Sequence, residues 1–337
     1  MAYFYGTWCR LTKDKVYHIR LLRLAPGAYH DPSLGDLVEV SLAEVRGTYI
    51  ALSYLFIDDK QLMIGANLNA ALRQLRSETS ATTAWVDAVC INQHDNVERN
   101  FQVRLMAEIY ESVAMVFSWL GEATGDSATG IEVLNFLAGD CPFDNTSPWN
   151  CMPAQELILG LEDILQRTYF QRIWIVQEAA PGRRVRLQVG GLSVEWDAAK
   201  DARRFLARIK LLEVSPAWQA GWHLGSVDFR PLRELLEQAV AARARKGGAG
   251  TDGPQTVALL DVVHALHMQS TDPRDKIFGL MGLAQPGEVA GFVPDYSGTW
   301  EWTYQRLFHH VSRTVMQNPE ETWNEDPYRK GEDNWVV

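Results

Sequence analysis

The sequence predicts an α/β fold: a mainly parallel sheet with an added β-hairpin and a helical C-terminal extension. Three observations carry this. Between Tyr49 and Leu120, strand-like and helix-like stretches alternate, the signature of right-handed βαβ units around a parallel sheet. Two alternating stretches, RVRLQV and LSVEW, flank Gly190-Gly191 and read as a hairpin. Beyond Asp197 the remaining apolar patterns are largely helical.

In chain order, residues 16–24 (VYHIRLLRL) make the first predicted strand, ended by Pro26-Gly27. Tyr49 to Tyr54 (YIALSY) is the second. From Asn67 to Arg76, Leu68, Ala71, Leu72 and Leu75 share one helical face. Thr83 to Gln93 (TAWVDAVCINQ) reads as a strand covered on both faces, interrupted by Asp87 and ending in Cys90, Asn92 and Gln93. A helix follows from about Val97 to Ala114, its stripe formed by Phe101, Leu105, Met106, Ile109, Tyr110 and Val113. Met115 to Leu120 is a further short apolar run, closed by Gly121. Helices are expected over Gly130 to Ala138 and Ala154 to Arg167, separated by a Pro/Asn/Asp-rich loop, before YFQRIWIVQEAA at Tyr169 to Ala180. After the hairpin come helices at Asp197 to Val214, Pro231 to Arg243, Thr256 to Met268 and Thr299 to Met316. KGGAGTDGPQ (Lys246 to Gln255) is the clearest flexible connection, Asp272 is placed to cap a helix starting near Pro273, and the tail after Pro319 is polar.

Composition narrows the function classes. The 337 residues are 47% hydrophobic and 22% charged, ordinary for a globular protein with one large domain or two. A net charge of −10 argues against non-specific nucleic-acid or anionic-membrane binding. There is no apolar run of about 18 residues, and the start lacks the basic-then-apolar pattern of a signal peptide. Four cysteines, Cys9, Cys90, Cys141 and Cys151, are too few for a disulfide framework and lack zinc-ligand spacing. The expectation is a cytoplasmic protein in a reducing compartment, with no metal and no membrane span.

The acid in the Thr83 to Gln93 segment marks a site, or its rim. An acid inside an apolar run is costly unless paired or hydrogen-bonded, and the carboxyl ends of parallel strands are where open α/β sheets bind ligands. Asp87 reads either as a ribose contact or as a structural acid capping amides or pairing with Arg99 or Arg104. Asn92 and Gln93 read as base or amide contacts, or as an Asx-type turn before the next helix. Ser53 and Tyr54, at the second strand's exit, suit phosphate and base contacts, with a core aromatic as the other reading of Tyr54. Arg99 and Gln102 reach a phosphate or lace helix to sheet. Cys90 with His94 has the residue types of a thiol nucleophile and base but no orienting third group, so a buried, inert thiol is the expectation. No phosphate-cradling glycine motif occurs.

These segments together resemble the fungal heterokaryon-incompatibility (HET) domain. The resemblance runs through IRLLRLAPG (19–27), YIALSY, NLNAALRQLR (67–76), WVDAVCINQ (85–93), ERNFQVRLMAEIY (98–110), VFSWLGEA (116–123) and RTYFQRIWIVQEAA (167–180). STDPRDKIFGLMGLA (270–284) and VPDYSGTW (293–300) resemble elements that often follow the domain. One departure stands out: Leu55-Phe56-Ile57-Asp58 replaces the family's usual Val-Trp-Gly-like turn after Ser-Tyr. HET domains are similar to Toll/interleukin-1 receptor (TIR) domains, which implies a flavodoxin-like, doubly wound sheet. The implied division is an N-terminal extension over 1–45, a TIR-like domain over 46–196, a helical extension packed on it over 197–320 and a polar tail over 321–337.

The resemblance also implies a chemistry. Many TIR domains split NAD+ into nicotinamide and an ADP-ribose product, using a glutamate in a Trp-Cys-x-x-Glu motif; Trp174-Ile175-Val176-Gln177-Glu178 falls at the comparable place. Cleaving the nicotinamide–ribose bond builds oxocarbenium character that one carboxylate can stabilise, and the cationic leaving group needs no general acid. Glu178 is therefore the candidate catalytic residue, with a salt bridge to Arg172 or Arg167 as its structural alternative; Trp174, Ser53, Tyr54, Asp87, Asn92, Gln93, Arg99 and Gln102 are candidate contacts to the nucleotide. The expected protein is a cell-death effector that consumes NAD+ as substrate, holds no permanent cofactor, self-associates and meets a protein partner in incompatibility signalling. The competing readings are a non-catalytic adaptor that works by oligomerising and a nucleotide sensor without turnover.

Overall fold

A computed structural model describes residues 2–5, 17–54, 65–179, 183–198, 200–215, 224–246, 268–282 and 289–317. The elements run β1 (Ala2–Tyr5), β2 (His18–Leu24), β3 (Ser33–Ser41), β4 (Ile50–Tyr54), α1 (Ala66–Leu75), β5 (Thr82–Trp85), α2 (Asp87–Cys90), α3 (Asn96–Glu111) and β6 (Met115–Trp119). They continue α4 (Ser127–Ala138), α5 (Pro148–Cys151), α6 (Ala154–Leu165), a 3-10 turn at Thr168–Gln171, α7 (Trp174–Ala179), β7 (Arg184–Val189) and β8 (Leu192–Asp197). The C-terminal part holds α8 (Ala202–Val214), a 3-10 turn at Leu224–Ser226, α9 (Arg230–Lys246), α10 (Asp275–Met281) and α11 (Trp300–Gln317).

Among the described residues the strands form one mixed sheet in the order β1-β3-β2-β5-β4-β6-β7-β8. Its centre is parallel: β4 pairs in parallel with β5 on one side and with β6 on the other, and β6 pairs in parallel with β7. The flanks are antiparallel where β2 joins both β5 and β3 and where β7 joins β8, while the edge strand β1 pairs in parallel with β3. Leu52, Ala84, Val116, Phe117 and Trp119 of the centre are buried, the continuous apolar character expected of strands covered on both faces. Growth of the parallel centre reverses at β4, because β5 adds on one side and β6 on the other. That reversal sets a crevice outside the carboxyl ends of β4 and β6.

The helices follow their apolar spacing. Leu68, Ala71, Leu72 and Leu75 of α1 are buried, as are Leu105, Met106, Ile109 and Tyr110 of α3. Asp95 caps α3 by accepting from the amides of Val97 at 3.0 Å and Glu98 at 3.2 Å. Helices α4 and α6 approach so closely that a Cβ on Gly130 would lie 2.0 Å from the Gly160 carbonyl oxygen. The hairpin forms at Gly190-Gly191 as its sequence predicts, with Gly190 at φ +52.

Several expectations need correction. Thr83 to Gln93 is not one strand: β5 stops at Trp85, and Asp87 opens the single helical turn α2. Keeping Asp87 inside a central strand would bury its charge between apolar neighbours; the turn instead lets its carboxylate accept the Ala88 amide at 2.7 Å. Tyr169 to Ala180 divides into the 3-10 turn and α7. The helix expected from Asp197 starts at Ala202, because Asp197 ends β8. Asp272 caps a turn: its carboxylate accepts the Arg274 amide at 3.0 Å, while α10 begins at Asp275. Strand β3 has no clean alternation to mark it in the sequence, because Gly35 and Asp36 break its apolar pattern; Gly35 is required, since a Cβ there would lie 2.8 Å from the Arg23 carbonyl oxygen. The Lys246 to Gln255 connection from residue 247 on, the Thr256 to Met268 helix up to residue 267, the Leu55 to Asp58 departure and the tail after Pro319 lie outside the described residues, as do Cys9 and the side chain of Tyr54.

Candidate functional site

Ser53 on β4 and Ser118 on β6 are register partners at the carboxyl ends of their strands, so their side chains leave the same face of the sheet at the crevice. Tyr169, from the 3-10 turn, lies across both. Its hydroxyl donates to Ser118 Oγ at 2.8 Å and sits 3.1 Å from Ser53 Oγ. Ser53 Oγ in turn donates to Glu178 Oε2, from α7. All four side chains are buried, Glu178 with 2% of its surface exposed.

Burial governs the electrostatics. Desolvation pushes the Glu178 carboxyl up to about 7; Arg172 opposes the rise, the nearby Asp87 adds to it, and the Ser53 hydrogen bond opposes it. Such a carboxyl exchanges its proton near neutral pH, the property a group needs to act as both base and electrostatic partner. Burial also raises Tyr169, with Glu178 as the next cause. Arg172 acts on Glu178 through charge, and Arg167 pairs with Asp163 at 3.0 Å.

Beside this cluster a cleft of about 990 Å³ opens. One wall comes from α2, α3 and α7 with their flanking loops: Asp87, Gln93, His94, Arg99, Arg172 and Trp174. The other comes from Gln269 to Asp275 and from Tyr296 and Gly298 to Glu301. Glu178 does not line the cleft, but Asp87 and Arg172 do, and they are the two charges that act on it. Asp87 is partly buried, and desolvation raises its carboxyl while Arg172, the Ala88 amide and Arg99 pull it down.

The other predicted site residues divide between cleft and scaffold. The Arg99 guanidinium stacks on the Tyr296 ring at 3.6 Å and stands 3.9 Å from Asp272 and 4.0 Å from Asp275. Trp174 lines the cleft and hydrogen-bonds Asp275, which also accepts from the Tyr296 hydroxyl at 2.5 Å. Gln93 lines the cleft and donates to the Asp87 carbonyl at 3.1 Å. Asn92 forms the Asx turn, its side chain accepting the His94 amide at 3.1 Å. Gln102 lies away from the cleft, fully buried, with Nε2 donating to the His18 carbonyl at 3.0 Å. Tyr54 ends β4.

Sequence reasoning did not single out Ser118, Tyr169, Asp275 or Tyr296. The last two lie inside STDPRDK and VPDYS, segments whose clustered charges and aromatics were visible but whose place was not. Cys90 is buried, its thiol pushed up to about 12 by desolvation and bonded by the Val86 amide at 3.3 Å, the inert thiol expected. Among the described residues no group of three or more His, Cys, Asp or Glu side chains could hold a metal ion, and no helix is long and apolar enough to cross a membrane.

Comparison with known proteins falls on this same region. The model of the family described as heterokaryon incompatibility protein (HET) matches residues 48–178, opening just before β4 and closing on Glu178. The chain is 26% identical over 384 aligned positions to heterokaryon incompatibility protein 6, OR allele, of Neurospora crassa, an alignment that covers 90% of this chain. The chain spans about half, 52%, of the length of that relative. No solved structure matches it. β4, Asp87 and Glu178 all lie inside the matched span, so it is residues 48–178 of the chain that resemble the heterokaryon incompatibility (HET) domain.

Proposed function

We propose that this protein is a cell-death effector of heterokaryon incompatibility and fungal innate immunity whose HET domain is wrapped like a TIR domain and hydrolyses NAD+ with Glu178. The observation that carries the reading is the placement of a buried, proton-exchanging carboxylate at the reversal of the parallel sheet, beside a cleft lined by Asp87 and Arg172. Two further observations support it. The parallel strands run β5-β4-β6-β7, which corresponds to 2-1-3-4 of the flavodoxin-like order 2-1-3-4-5. The cleft has the size of a small-molecule site and mixes aromatic with charged groups.

In this mechanism the bond between ribose C1′ and the nicotinamide nitrogen breaks, and its electron pair leaves with nicotinamide, neutralising the ring. The ionised Glu178 carboxylate stabilises the positive charge developing on the ribose. Water then adds to C1′ and loses one proton, giving ADP-ribose. Asp87 holds ribose hydroxyls and Arg172 or Arg99 meets the phosphates, while Trp174 offers a flat apolar surface to a base. The decisive experiment is NAD+ consumption by concentrated protein beside Glu178→Ala and Glu178→Gln. Nicotinamide release by the wild type, lost in both folded variants, supports the reading, and equal release in all three assigns the chemistry elsewhere.

One observation favours a second reading. Glu178 is 2% exposed and hydrogen-bonded to Ser53, so substrate reaches it only after a rearrangement. A non-catalytic self-recognition adaptor acting by oligomerisation needs no such rearrangement. No nicotinamide release at high concentration, together with no bound nucleotide, selects the adaptor.

A further inference from the structure

Four polar side chains stand in file at the carboxyl ends of β4 and β6: Glu178, Ser53, Tyr169 and Ser118. The other buried residues of β4 and β6 are apolar, and each buried polar group would be costly alone. Linked, they satisfy one another. Each hydroxyl has one proton to donate. With Glu178 ionised, Ser53 donates to Oε2 and Tyr169 donates to Ser118. With Glu178 protonated, the carboxyl donates to Ser53, Ser53 to Tyr169 and Tyr169 to Ser118, and no link is lost. The file therefore accepts both states of the carboxyl by turning hydroxyls, without moving heavy atoms.

We propose that Ser53 and Tyr169 are positioning residues for Glu178: Ser53 orients the carboxylate and favours its ionised form, Tyr169 acts on it through Ser53, and Ser118 anchors the far end. This rests on the reading of Glu178 as the acting carboxylate. It assigns Ser53 to the protein's own scaffold, where the sequence suggested a phosphate contact. The other groups acting on Glu178 are Arg172 and Asp87 by charge, and its charge is felt by Tyr110 of α3. None of these three is a member of the file, so their effects persist when the file is cut.

The test reads Glu178 directly, without NAD+. Infrared difference spectra between wild type and Glu178→Gln isolate its protonated carbonyl stretch, and titration gives the midpoint. Removing a hydrogen bond to an ionised group shifts such a midpoint by about one pH unit. Ser53→Ala should raise the midpoint by that amount, and Ser53→Thr should restore it. Tyr169→Phe should shift it less, and the double variant should titrate like Ser53→Ala alone, because Tyr169 acts through Ser53. The pH profile of nicotinamide release should follow the same order. An unmoved midpoint in folded Ser53→Ala, or additive shifts in the double variant, overturns the proposal. If Ser53→Ala does not fold, Tyr169→Phe decides: an unmoved midpoint there overturns the coupling. Absence of nicotinamide release from the wild type defeats the glycohydrolase reading, whereas the infrared titration still passes or fails the file itself.

Discussion

Arg20 of β2 and Glu98 of α3 form a buried, two-pronged ion pair, with Nη1 to Oε1 at 2.6 Å and Nη2 to Oε2 at 2.8 Å. Arg20 also donates to the Cys90 carbonyl at 2.9 Å, and Glu98 accepts the Asn92 amide at 2.8 Å. The pair therefore grips the chain on both sides of Ile91, where α2 gives way to the loop before α3.

Breaking it leaves an uncompensated buried charge, which costs about 3–5 kcal/mol. Glu98→Ala should lose that much stability in urea denaturation. Glu98→Gln, which keeps an acceptor for the Asn92 amide, should lose less. If Glu98→Ala unfolds with the wild-type midpoint, the pair does not hold the loop.

Stability should also carry the signature of Glu178. Its carboxyl stands at about 7 when folded, against an ordinary 4.5. A raised carboxyl means the folded state binds the proton more tightly than the unfolded chain. Its contribution is therefore largest below pH 4.5, declines between 4.5 and 7, and is flat above 7. Over that window the wild type should lose a few kcal/mol relative to Glu178→Gln, in paired denaturation curves. Parallel curves for the two proteins would place the Glu178 carboxyl in the normal range.

The contact between α4 and α6 leaves no room for a side chain. Gly130→Ala would push a methyl into the Gly160 carbonyl, backbone against backbone, and overpacking of this kind costs about 1–3 kcal/mol. A fall in Tm is the expected result. Gly125→Ala, where a Cβ meets nothing within 4 Å, is the control and should leave Tm nearly unchanged.

Thiol labelling separates the cysteines. Cys90 is buried with its thiol pushed up to about 12, whereas Cys141 and Cys151 are exposed. Iodoacetamide under native conditions should modify Cys141 and Cys151 within the time that leaves Cys90 untouched, as read by peptide mass spectrometry. Rapid modification of Cys90 would revive it as a nucleophile.

Much of the fold was legible because it is local. Periodicity marks α1, α3 and the β7–β8 hairpin within single segments, and their residues need no distant partner to be recognised. Misreadings arose where local and tertiary demands differ. The apolar residues of α2 look like a continuation of β5, and only the position of Asp87 at the sheet's end makes a turn the cheaper solution. Strand β3 owes its existence to pairing with β2, not to its own alternation. The candidate site shows the same division. Glu178, Asp87 and Arg99 stand out as charges in telling places, but nothing in a linear chain says that Ser53 and Ser118 are register partners or that Tyr169 lies across both.

The two walls of the cleft belong to different stretches of the chain. Asp87, Arg99, Arg172 and Trp174 lie inside the span that matches the HET family, whereas Asp272, Arg274, Asp275, Tyr296 and Trp300 lie beyond it. Substitutions in the later stretch can reshape what the cleft admits while β4, β6 and the Glu178 carboxyl stay as they are. On the proposed reading, recognition and chemistry are thereby free to diverge at separate rates, so proteins that share the matched span need not share a ligand.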